Sequence, residues 1–167
     1  PLKMRFFVDL FKEILFPVGR LFEDAATTYK LVYEAETIAI GSASKYYYMM
    51  RGNSITNIGF SKKKLDLIKS TKEMSDFVTL KFPNLKKAGE RRLMYAYLST
   101  LSQLANSSNV DKEVENELMS YIKKNGNQVL FDKRSKNRDK VAILSTKFGF
   151  KFYKFIWHQY KVITGRI

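Results

Sequence analysis

The chain has 167 residues, of which 45% are hydrophobic and 14% aromatic, enough apolar material for one compact domain or a core with an appendage, and too much for a disordered chain. It has no Cys and a single His, which excludes a disulfide framework, a cysteine zinc site and most other metal centres, and fits a reducing compartment. The net charge of +14 calls for an anionic partner, with nucleic acid, anionic lipid and phosphorylated ligands all open.

In chain order, RFFVDLFKEIL at 5–15 sets apolar residues at helical spacing, and FPVG at 16–19 breaks the pattern. A helix is predicted from Asp24, with Ala25, Thr28, Leu31, Val32 and Ala35 as its buried face. TIAIG at 37–41 alternates β-branched residues and KYYYMMR at 45–51 is aromatic, so both read as short strands, with GNS closing the second as a turn. Tyr46 and Tyr48 would share one strand face and Tyr47 the other. Beyond Ser61 the pattern predicts helices over 61–80, 86–105, 111–124, 137–147 and 149–163, with PN at 83–84, NSSN at 106–109 and NGN at 125–127 as punctuation.

The predicted fold class is therefore an α/β fragment over residues 1–60 followed by a mostly α-helical extension over 61–167, predominantly helical in total. Two short strands cannot complete a sheet-centred core, so further strands are expected from a preceding half of the same protein. The first residue, Pro1, has no initiator Met or signal-like segment before it, which points to processing, trimming or a piece of a longer chain.

Three linked stretches carry a resemblance: FPVGRLFED at 16–24, YYY at 46–48 and RGNSI at 51–55. Their order resembles the second half of the catalytic domain of inverting GT-A-type (family 2-like) bacterial glycosyltransferases, which build surface polysaccharides. The likeness covers about residues 1–60. It implies a nucleotide-diphospho-sugar donor, a glycan or lipid-linked acceptor, and a general base at the second carboxylate of the acidic pair. Asp24 fills that position and Glu23 is its neighbour. A helix N-terminus favours an ionised carboxylate, which is what a base needs, although Asp24 suits a simple N-cap equally well.

By the same resemblance Arg51, with Gly52 and Ser54 in the following turn, would meet the donor diphosphate, where a guanidinium stabilises charge on the leaving group. The residues alone also allow a surface Arg ending a strand. The resemblance further implies a divalent metal, Mn or Mg, in the intact enzyme, held by an Asp-x-Asp motif in an upstream nucleotide-binding half. No such motif occurs in the chain, so no metal ligand is named and the chain is expected to be inactive alone.

From residue 123 onward twelve Lys or Arg stand against Asp132 and Asp139, so most of the charge sits in the tail. Lys147, Lys151, Lys154, His158 and Lys161 recur at helical spacing beside Phe148, Phe152, Phe155, Ile156, Val162 and Ile163, the composition of an interfacial helix drawn to anionic lipid. A packed helix with a solvated lysine face has the same pattern. The expected location is cytoplasmic, peripheral at the inner membrane face, since no apolar run approaches the roughly 18 residues that read as a spanning helix. The alternative to a transferase is a basic helical module binding nucleic acid or protein without catalysis; no nucleic-acid signature is present and none is expected as a partner.

Overall fold

Helical spacing dominates this sequence, and every element among the described residues is helical. The structure is a computed structural model that describes residues 9–39 and 59–165. The chain divides into two units, Pro1–Ile58 and Gly59–Ile167.

In the first unit, the helix predicted over 5–15 is helical only at Asp9–Leu10 among its described residues, and it gives way to a turn over 11–13. Helix α1 spans Glu23–Glu34 and buries Ala26 and Thr27. That face is rotated from the predicted one, since Thr28 and Val32 are exposed.

In the second unit a 3₁₀ turn at Lys62–Leu65 leads into α2 (Asp66–Lys81), and a Pro-initiated 3₁₀ turn at Pro83–Leu85 leads into α3 (Lys86–Ala105). These are followed by α4 (Lys112–Leu130), α5 (Asn137–Lys147) and α6 (Phe150–Ile163). Each helix packs on the next, and α3 also meets α5 and α6, so α3 is the hub. Ala96, Leu101 and Leu104 of α3 and Leu118 and Ile122 of α4 are fully buried, each of the larger side chains contributing about 1.5–3 kcal/mol by leaving water. Asp111 caps α4, its carboxylate accepting from the backbone N–H of Glu113 at 3.1 Å and of Val114 at 3.2 Å. Those bonds, with Lys62 at 3.3 Å, hold its carboxyl below the usual range.

The helix predicted to stop at 124 runs on to Leu130. NGN does not punctuate it, because Gly126 serves as a contact point: a Cβ there would lie 2.6 Å from Ile143 Cγ2 on α5. The glycine lets two helices approach, which offsets its poor helix propensity.

The α/β fragment of a GT-A domain expected over 1–60 is overturned, because every described element is helical and no strand occurs among the described residues. Thr37–Ala39, the described start of the first predicted strand, is irregular. β-Branched residues favour strands through cross-strand packing, and no paired strand is present there among the described residues. The remainder of that prediction at 40–41, and the whole of 45–51 with Tyr46, Tyr47 and Tyr48, lie outside the described residues.

Candidate functional site

The approach to α1 is locally strained. Gly19 takes φ 76°, and Phe22, the N-cap residue, takes φ 57° and ψ 44°, a left-handed conformation unusual for a bulky side chain. Glu23 and Asp24 then form the first turn, both exposed. Asp24 Oδ1 accepts from the backbone N–H of Ala25 at 2.8 Å, and neither carboxylate is ion-paired among the described residues. A negative charge here faces the positive end of the helix dipole. The arrangement can accept a proton from solvent-side chemistry while one carboxylate oxygen stays oriented by the backbone. Arg51, Gly52 and Ser54 lie outside the described residues.

The basic tail resolves into two elements. Lys147 ends α5, where its Nζ donates to Asn127 Oδ1 at 3.2 Å, and Gly149, at φ 102°, separates it from α6. Lys161 turns back to Asn106 Oδ1 at 2.9 Å. Lys151, Lys154 and His158 project outward from α6, beside exposed Phe152 and Phe155 and, at the helix end, Val162 and Ile163. Phe148, in the link before Gly149, is 77% exposed and stacks at a tilt on Phe152 at 5.2 Å. Inward, α6 is pinned by Tyr153, whose hydroxyl donates to the Leu98 carbonyl at 3.5 Å. Among the described residues no helix is long and apolar enough to cross a membrane.

One feature of the second unit is absent from the sequence reading. A cleft of about 370 Å³ lies between α3 and the start of α5, lined by Arg91, Arg92, Arg134, Lys136 and Arg138 with Asp139 as the one carboxylate among its lining residues. Arg91 pairs with Asp132, and Arg138 donates through Nε and Nη2 to Asp139 Oδ1 at 2.9 and 2.7 Å. The Arg134 backbone N–H, 2.8 Å from Asp132 Oδ1, and the Arg91 guanidinium hold the Asp132 carboxyl below its ordinary range. The guanidiniums of Arg92 and Arg138 lie 5.1 and 5.3 Å from the Tyr95 ring centroid. The signal for this cleft is DKRSKNRDK at 132–140, a dense basic run between two predicted helices.

Among the described residues no cluster of three or more His, Asp or Glu could hold a metal ion. A scan against protein-family models gave no match, nor did searches of curated proteins and of solved structures.

Proposed function

We propose that this chain is part of a bacterial glycosyltransferase that moves a sugar from a nucleotide-diphospho-sugar to a glycan or lipid-linked acceptor in surface polysaccharide synthesis, with Asp24 as general base and Glu23 beside it. The observation that carries the reading is the Glu23–Asp24 pair, exposed in the first turn of α1 immediately after the left-handed Phe22. Strained backbone of this kind gathers where function fixes a side chain's direction. The pair falls within FPVGRLFED, one of the stretches that carry the motif resemblance.

In the proposed step the acceptor hydroxyl attacks the anomeric carbon, its proton passes to the Asp24 carboxylate, and the bond to the nucleoside diphosphate breaks with the electron pair leaving on the phosphate oxygen. Arg51, with Gly52 and Ser54, is proposed to receive that charge. No step is assigned to a metal. The cytoplasmic membrane face is the proposed location, supported by the outward face of α6, where lysines and exposed phenylalanines are interleaved; each Lys near an anionic surface contributes about 1 kcal/mol.

Asp24→Asn tests the reading in the intact transferase. The asparagine keeps an oxygen for the Ala25 N–H but cannot accept the proton, so turnover falls by about 10²- to 10⁴-fold while donor affinity is retained. Unchanged turnover removes Asp24 from catalysis. Arg51→Ala is expected to weaken donor binding as well as rate, and normal values of both exclude it from the site.

A further inference from the structure

The cleft between α3 and α5 is more than a place where charges collect. Arg92, Arg134 and Lys136 line it without an ion pair among the described residues, whereas Arg91 and Arg138 already have carboxylate partners. Three uncompensated cations held close together repel one another, and an anion between them removes that repulsion.

Two further features border the same space. Ser135, one of the residues lining the cleft, is only 9% exposed, and its buried Oγ has no hydrogen-bond partner. A buried hydroxyl without a partner costs on the order of 1–3 kcal/mol, and a ligand that accepts from it would remove that cost. The second feature is the helix start: α5 begins at Asn137 behind Lys136, and no side chain caps it. The N–H groups of Asn137 and Arg138 therefore remain for an anion, while that of Asp139 donates to the Lys136 carbonyl at 3.0 Å and the Asp139 carboxylate in the same turn offsets part of the dipole. The volume of about 370 Å³ falls in the range of small-ligand pockets.

We propose that this cleft is a phosphate-binding site, in which Arg92, Arg134 and Lys136 supply charge while Ser135 Oγ and the uncapped first turn of α5 supply hydrogen bonds. Phosphate is favoured over a lone carboxylate because the donors are several and converge from two elements, matching an anion with three or more acceptor oxygens. The phosphate can be carried by a soluble phosphoester or by a lipid headgroup, which share this chemistry. The inference stands apart from the role of Asp24, which lies in the other unit.

Titration calorimetry of the full chain with inorganic pyrophosphate tests it. Saturable binding is expected, and Arg134→Gln with Lys136→Gln should weaken it by about tenfold or more. Ser135→Ala should weaken it by about two- to tenfold while leaving the melting temperature without ligand unchanged or raised, since an orphaned hydroxyl is removed. Lys123→Gln with Lys124→Gln, exposed on α4, should leave binding as it was. Vesicles containing phosphatidic acid separate the two sources: the Arg134/Lys136 variant losing vesicle binding together with pyrophosphate assigns a headgroup, and losing pyrophosphate alone assigns a soluble phosphoester. Absence of saturable pyrophosphate binding overturns the proposal, as does an equal loss in the Lys123/Lys124 variant, which would mean attraction to net charge only.

Discussion

Gly126→Ala probes the closest helix approach in the second unit. The added methyl arrives 2.6 Å from Ile143 Cγ2, whereas favourable carbon contacts lie at about 3.5–4.0 Å, so something must yield by roughly 1 Å. Ile143 is 1% exposed, and a β-branched side chain in a helix has one strongly preferred χ1, so Cγ2 cannot swing aside. Overpacking of this kind costs about 1–3 kcal/mol, against which alanine's better helix propensity returns about 0.8–1.0 kcal/mol. The single change should therefore destabilise by about 0–2 kcal/mol. Ile143→Ala alone opens a cavity and should cost about 2–5 kcal/mol. With both changes the new methyl occupies vacated space, so Gly126→Ala becomes stabilising in the Ile143→Ala background, with a coupling on the order of 1–3 kcal/mol. Urea unfolding followed by far-ultraviolet circular dichroism measures all four corners of the cycle. Additive costs would refute the idea that Gly126 is there for close approach.

Gly89→Ala is the useful contrast, since its Cβ meets Ser75 Oγ at 2.7 Å; that hydroxyl can rotate away, and the same unfolding assay should find the variant near neutral or stabilised. Leu101→Ala, fully buried on α3, should lower stability by about 2–5 kcal/mol, and a loss under 1 kcal/mol in that assay would mean that α3 is not the hub. Burial pushes the Tyr97 hydroxyl, stacked on Tyr121 at 3.6 Å, up to about 12. Because the unfolded chain releases this proton near pH 10 and the fold holds it, Tyr97 adds stability below pH 10 that is lost as pH rises towards 12, and Tyr97→Phe should flatten that limb of a stability–pH profile. Lys151→Gln with Lys154→Gln should reduce sedimentation with phosphatidylglycerol vesicles and leave the weak binding to neutral vesicles unaltered; co-sedimentation equal to the parent would make the outer face of α6 a solvated surface.

Most of the second unit was legible in the sequence because its helices are long, periodic and separated by Pro or polar clusters, signals that tertiary packing reinforces. The end of α4 was not, since Gly126 satisfies the local rule for a breaker while its actual role depends on Ile143, seventeen positions away on another helix. The strand reading of 37–41 failed where it can be checked for a related reason: β-branched alternation describes a residue's preference, and a strand exists only when another completes it. At the candidate site, Glu23 and Asp24 could be placed at a helix start from the apolar spacing of the residues that follow them. The left-handed Phe22 carries no comparable local signal, since nothing in LFED requires a positive φ. The cleft was missed because its cations are split between α3 and the link before α5, and only the fold brings RR at 91–92 to face RSK at 134–136.

Tyr153 is the one buried residue of α6 among the described residues, while α3 buries nine of its twenty. A helix with so little of its surface fully buried should open at a smaller free energy than the unit as a whole. Its amides should therefore exchange with deuterium through local release, long before those of α3 and α4, which wait for global unfolding. In such an opened form the aromatic side chains on both sides of α6 meet solvent together, and Tyr153→Ala would raise that population without dismantling the remaining bundle. The α6 helix should thus behave as a separate exchange unit within the second unit, with protection expected to step down at Gly149.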